Sequence, residues 1–158
     1  MRHRMATVLL VGVAALLLAT AGANASVLVI DQDDPQVSYT GSWTFFNGAD
    51  VDKYAVGGDE RYTGDTSATA TWTPGAAGTY DLQVHWYIYS SHSTSATYTV
   101  NHTGGSTAVT VNQAQTAAQG SPGSLNFTTS PLGSGWYTLG RFELDTTSSI
   151  VLTNAPAM

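Results

Sequence analysis

Gln83, His85, Tyr87 and Tyr89 stand at alternate positions along one run, and their side chains are of the kinds that recognise sugars. Aromatic rings stack against the apolar face of a pyranose, while amide and imidazole groups exchange hydrogen bonds with its hydroxyls. Alternation places these four on one face of a strand, with Leu82, Val84, Trp86 and Ile88 on the other. If the first face is open to solvent, it is a binding platform; if a loop covers it, the same rings are core. Trp43, beside Gly41 and Ser42, fits either role. Tyr54 and Tyr62 lie in the polar stretch 47–64, where they line a cleft at one end of the fold or simply anchor the loop.

Carboxylates supply a second kind of chemistry. Asp31, Asp33 and Asp34 leave the first strand together, and Asp50, Asp52, Asp59, Glu60 and Asp65 follow, so oxygen ligands for calcium are present. No EF-hand spacing is met, and a solvated acidic loop explains the same residues. Catalysis finds less support. A glycosidase needs two facing carboxyl groups, and the only glutamates are Glu60 and Glu143. There is no Gly-x-Ser-x-Gly elbow, and His85, His92 and His102 lack metalloenzyme spacing. The expectation is a binding protein that is not an enzyme and needs no cofactor, with calcium the one candidate ion.

These side chains need a scaffold, and its pattern is β throughout. Ala68, Ala70 and Trp72 alternate with Thr69, Thr71 and Thr73, and the run from Tyr80 to Tyr89 alternates in the same way. Pro74-Gly75 and Gly104-Gly105 mark turns between such runs. The reading gives strands near 27–31, 42–46, 68–73, 79–89, 96–101, 108–112, 136–144 and 149–153, with long polar connections at 47–64 and 113–135. Eight short antiparallel strands with this punctuation predict an all-β fold, a two-sheet β-sandwich of jelly-roll type. Trp72, Trp86 and Trp136 fall in phase with apolar neighbours and are expected in its core.

Residues 1–25 differ in kind. Arg2 and Arg4 precede an apolar run from Met5 to Ala21, and the stretch closes on Ala23-Asn24-Ala25, the pattern of a helical secretory signal peptide. Its removal leaves Lys53, Arg61 and Arg141 against eleven acids, which argues against nucleic acid and against anionic membrane as partners. The chain has no cysteine, so neither a lipid anchor on cysteine nor a disulfide is available. A secreted or cell-surface protein of residues 26–158 is the resulting expectation, held together by its core and its strand ladders.

Several fragments in order carry a family resemblance: Val29-Ile30-Asp31, Tyr39-Thr40-Gly41-Ser42-Trp43, Ala68 to Pro74, Ala77-Gly78-Thr79-Tyr80, Tyr98 to His102, Gly104 to Thr107, Val109 to Gln113, Gly135-Trp136 and Val151 to Asn154. Together they resemble the golvesin C-terminal-like, or xanthan lyase carbohydrate-binding-like, domain. The resemblance implies a galactose-binding-like β-sandwich, an accessory module of secreted enzymes and surface proteins, with polysaccharide or glycan as ligand and a catalytic domain as working partner. Three features depart from the family: about twenty residues separate Gln113 from Trp136, His92 stands where an Arg is usual, and members continue past the Thr-Asn strand into one more, Ala-Asp-Ala-like strand. A missing last strand opens a sheet edge, so self-association by β-strand addition in a matrix or surface protein is the competing expectation.

Overall fold

The structure is a computed structural model that describes residues 9–11, 15–19, 27–46, 59–86, 91–114, 127–130 and 133–153, with backbone alone at 9–11, 15–19, 27, 127–130 and 133–136. Thirteen strands are described: β1 (Leu9–Val11), β2 (Ala15–Ala19), β3 (Val27–Ile30), β4 (Val37–Thr40), β5 (Thr44–Phe46), β6 (Glu60–Thr63), β7 (Thr69–Trp72), β8 (Gly78–His85), β9 (Ala96–His102), β10 (Gly105–Val111), β11 (Phe127–Ser130), β12 (Gly133–Leu144) and β13 (Ser149–Thr153). The described residues contain no helix, as an all-β fold requires.

Two five-stranded antiparallel sheets, ordered β10-β9-β13-β7-β4 and β11-β12-β8-β2-β3, bury their inner faces in one hydrophobic cluster. Ala70, Trp72, Tyr98, Val100, Ile150 and Leu152 come from the first sheet, and Ile30, Leu82, Val84, Phe142 and Leu144 from the second. Period-two alternation is the cause. Along β9 buried Ala96, Tyr98 and Val100 alternate with Thr97 and Thr99, and β13 repeats the pattern with Ile150 and Leu152. The outer face of the first sheet is rich in hydroxyls that bond across strands, Thr40 to Thr69 at 2.7 Å and Thr97 to Thr110 at 3.2 Å.

Strict alternation fails in β12, where the pairing with β8 shifts between Thr138 and Gly140. Gly140 has φ of +146°, and a Cβ there would lie 3.1 Å from the Phe142 ring. The bulge this glycine permits lets Leu139, Phe142 and Leu144 all turn inward despite their uneven spacing. Trp72 and Trp86 are buried as expected, at 0% and 4% exposure, whereas the side chain of Trp136 lies outside the described residues. His102 orders the hairpin that follows it, its Nδ1 accepting from the Gly104 N–H at 3.2 Å and its Nε2 meeting the Thr107 hydroxyl at 3.0 Å.

Three differences from the sequence reading matter. The polar stretch 47–64 ends in a strand, β6, which pairs with β5 and β1 as a small third sheet. β4 and β11 are also strands that the sequence reading left as connections. Within the segment read as a helical leader, residues 9–11 and 15–19 are strands, β2 lying antiparallel between β3 and β8. An apolar stretch retained on the chain finds backbone partners along those two strand edges, which offsets its helical propensity.

Candidate functional site

Two turns assemble the site at the β4–β6 end of the molecule. The first follows β3: Asp34 Oδ2 accepts from the Asp31 N–H at 2.7 Å, Asp31 Oδ1 from the Gln32 N–H at 2.8 Å, and the Val37 N–H reaches Asp34 O at 2.9 Å. Aspartates are suited to this because a short side chain caps its own local backbone. The second turn follows β4 at Gly41, whose φ is +76° and where a Cβ would meet Asp65 Oδ2 at 2.6 Å and Ala68 Cβ at 2.8 Å. Glycine alone allows that approach. Asp65 holds the opposing turn by accepting from the Ser67 hydroxyl at 2.6 Å, the Ser67 N–H at 2.9 Å and the Ser42 N–H at 3.3 Å, and these bonds hold its carboxyl below its ordinary pKa.

Trp43 emerges from the Gly41 turn with its indole N–H on Thr40 O at 2.8 Å and its ring 5.1 Å from that of Tyr39, edge toward face. β5 and β6 then set Phe45 opposite Arg61 and Thr44 opposite Tyr62. The Arg61 guanidinium lies 5.2 Å from the Tyr39 ring centroid and 5.5 Å from that of Phe45. It also donates to Asp33 Oδ1 from Nε at 3.1 Å and from Nη2 at 2.7 Å, and this pairing raises its pKa further. The Tyr39 hydroxyl donates to Gln32 O at 2.9 Å, and burial pushes its pKa upward. Phe45 and Phe46 remain 44% and 46% exposed, the large apolar side chains left open among the described residues.

Buried polar groups adjoin these rings, on β6 and in the turn after β3. Glu60 is 2% exposed, its Oε2 has no partner among the described residues, and burial alone pushes its pKa to about 7. Gln32, 1% exposed, donates from its amide nitrogen to Asp59 Oδ1, while its Oε1 also lacks a described partner. Asp31 is pushed up to about 6, first by burial, against the Gln32 N–H bond, and then by the charges of Asp59, Asp34 and Asp33. Asp59 is raised by burial first as well. Open ring faces bordered by one guanidinium and several carboxylates suit the non-covalent holding of a ring that is apolar on its faces and polar at its rim.

Of the residues singled out from the sequence, Trp43 and Tyr62 come together here. Tyr54, Tyr87 and Tyr89 lie outside the described residues. Gln83 departs from the exposed platform expected of it. It is 6% exposed, mid-sheet between β12 and β2, and its amide donates to Thr138 Oγ1 at 3.4 Å. His85 is half-buried at the end of the same strand, β8. No three acidic or histidine side chains among the described residues come together as metal ligands, and Asp50 and Asp52, considered for calcium with Asp31, Asp33 and Asp34, lie outside the described residues. Asp31 and Asp34 cap the turn, and Asp33 binds Arg61.

The sequence reading passed over Tyr39, Phe45, Phe46 and Arg61. One signal was available. Two consecutive phenylalanines on a strand point to opposite faces, so Phe45-Phe46 cannot both enter one core unless a second layer covers them.

The described fold is similar to part of a solved structure, that of Paenibacillus xanthan lyase, with a TM-score of 0.60 and 22% identity over 90% of this chain and 12% of that one. This chain therefore spans about an eighth of the lyase, and the likeness is one of fold. None of the curated proteins matches the chain. A sequence profile described as the Golvesin C-terminal domain matches residues 27–157. The chain belongs to the Golvesin C-terminal domain family.

Proposed function

We propose that this protein is a secreted, non-catalytic polysaccharide-binding domain whose contact surface is the β4–β6 end, with Trp43, Phe45, Phe46, Tyr62 and Arg61 as its principal groups. The observation that carries this reading is the exposure of Phe45 beside an Arg61 already held in place by Asp33 and two rings, with Phe46 exposed on the other face of the same strand. Phenylalanines left this open contribute less to a core than buried rings do, and a pre-positioned guanidinium offers donors to sugar hydroxyls at small entropic cost. The family and its sandwich fold support the same class of ligand. The leader-like sequence of residues 1–25, with Arg2 and Arg4 ahead of an apolar run, supports an extracellular setting, where a catalytic partner on another chain or domain is the expected company.

Affinity electrophoresis through gels containing neutral, amino and acidic polysaccharides tests the proposal. Selective retardation without release of reducing ends supports it, and release of sugar overturns the non-catalytic part. A second reading, self-association by strand addition, is favoured by the place of β2 between β3 and β8. Were the leader removed, those two strands would present edges to a strand from another chain. Size-exclusion chromatography of the exported protein separates the readings, because oligomers that form without polysaccharide belong to the second.

A further inference from the structure

We propose that two copies of this chain pair edge to edge through β10, antiparallel about a two-fold axis at Ala108, so that their β10-containing sheets join into one. The proposal rests on strand addition, the second reading above, and gives it a place that the leader does not touch. It leaves the β4–β6 surface of each copy free.

β10 ends its sheet, with β9 as its one neighbour among the described strands. It runs for 7 residues, against 4 in each of the other described edge strands of the two large sheets, β3, β4 and β11. Its register with β9 is unbroken from Gly105 to Val111, and Gly105 to Ala108 and Thr110 are exposed. Soluble proteins blunt such edges with Lys, Pro, a bulge or a short strand, because the free N–H and C=O groups along them accept another strand. Gly105 to Val111 contains none of these devices. β4, at the opposite edge of the same sheet, is shorter, and Asp33, Asp34 and Pro35 lie just ahead of it.

Charge points to a second copy as the partner. Two chains of net charge −6 repel each other, yet no Asp, Glu, Lys or Arg occurs between Leu82 and Gly140, and the β9–β10 hairpin lies within that run. At this edge two copies meet without like charges facing one another.

β10 is also complementary to itself. With Ala108 opposite Ala108 of the second copy, Ser106 stands opposite Thr110 and Thr107 opposite Val109 on both sides of the axis. Ser106, Ala108 and Thr110 pair with Asn101, Thr99 and Thr97 of β9 on the outer face, so hydroxyl meets hydroxyl across the seam. The same pairing already occurs within each copy, between Thr40 and Thr69 and between Thr97 and Thr110. The hairpin is fixed before a partner arrives: the Thr103 N–H and hydroxyl donate to Glu143 O at 3.0 and 3.1 Å, and the Ser106 hydroxyl donates to Asn101 Oδ1 at 3.0 Å. Because β4 closes the far edge of each sheet, the two polysaccharide-binding surfaces stand at the ends of the joined sheet. At about 4.8 Å per strand they are roughly 40 Å apart, and two weak contacts on one polymer add by avidity.

The chain has no cysteine, so one introduced thiol is a clean probe. Under mild oxidation Ala108→Cys should form a disulfide-linked dimer at least tenfold faster than Ser38→Cys, at an exposed position on β4, because facing residues of antiparallel strands lie within disulfide reach. Sedimentation equilibrium of the wild type should show association that stops at two copies, as a two-fold contact requires. Ala108→Lys and Ala108→Glu should each be monomeric and their mixture dimeric, since opposite charges then face each other across the axis. Ser38→Lys should leave the dimer intact. Equal crosslinking at positions 38 and 108 would overturn the proposal, as would failure of the mixture to pair. Oligomers that survive both Ala108→Lys and Ala108→Glu would overturn it while sparing strand addition at β3 and β8, and a wild type that is monomeric at every concentration would remove both.

Discussion

The middle and the β4–β6 end of this sandwich use the same residue types for opposite purposes. At the middle of the sheets, Trp72 and Tyr98 are fully buried among Ala70, Val100, Ile150 and Leu152, and the Tyr98 hydroxyl accepts a bond from the Gln113 amide at 3.3 Å inside the core. At the β4–β6 end, Tyr39, Trp43, Phe45 and Phe46 stand beside Arg61 and the aspartates, and the phenylalanines remain nearly half exposed. In the first region every ring removes apolar surface from water and is fixed by close packing. In the second, apolar area is left in water over buried acids whose pKa is raised. The first arrangement is what stability asks for, and the second makes sense as a surface awaiting a ligand.

Four substitutions probe that contrast, beginning with the largest effect. Trp72→Ala removes a fully buried indole from the centre of the cluster and should cost about 3–5 kcal/mol, read as a sharply lower denaturation midpoint; a loss under about 1 kcal/mol would show that the core sits elsewhere. Glu60 should govern the pH response. Its folded pKa of about 7 lies above the ordinary 4.5, so the folded state holds the proton more tightly. The resulting stability is complete below about pH 4.5 and is lost as pH rises toward 7, by on the order of 2–3 kcal/mol. Asp31, raised to about 6, adds a smaller loss over its own lower window. Glu60→Gln should flatten the pH profile and melt above wild type at pH 8; a profile as steep as wild type would place the titration elsewhere.

Gly41→Ala forces an L side chain into positive φ against Asp65 and Ala68, and should cost more than about 1 kcal/mol while displacing Trp43. A melt unchanged by this substitution would show that the β4–β5 turn is looser than described. Arg61→Ala is the smallest in stability. Its ion pair with Asp33 is about a third to a half exposed and solvent-screened, so the loss should stay under about 1 kcal/mol, with polysaccharide retention falling instead.

Much of the fold was readable from alternation and turn residues. The strands carrying Trp72, Tyr98 and Ile150 have clean period two because one face of each is buried in the core. β6 escaped notice because Glu60-Arg61-Tyr62-Thr63 reads as a polar loop, and its burial depends on β5 and on the turn after β3, both distant in sequence. β12 was found, but its bulge was hidden, since Gly140 resets the phase only through backbone geometry. The site was half legible. Trp43 and Tyr62 stood out by type, whereas Arg61 and the Phe45-Phe46 pair acquire their meaning from contacts across two elements. Gln83 misled for the converse reason: alternation assigns a residue to a face but cannot say what covers that face.

The central claim is that the exposed aromatics of the β4–β6 end bind polysaccharide and do little for folding. Its most direct test compares wild type with Phe45→Ala and Phe46→Ala in affinity gels of a retained polysaccharide, with a thermal melt of each. The account predicts retention weakened roughly tenfold, about 1–2 kcal/mol of binding, with melting nearly unchanged. Full retention by both variants would contradict it, as would early unfolding, which would make these rings part of the core.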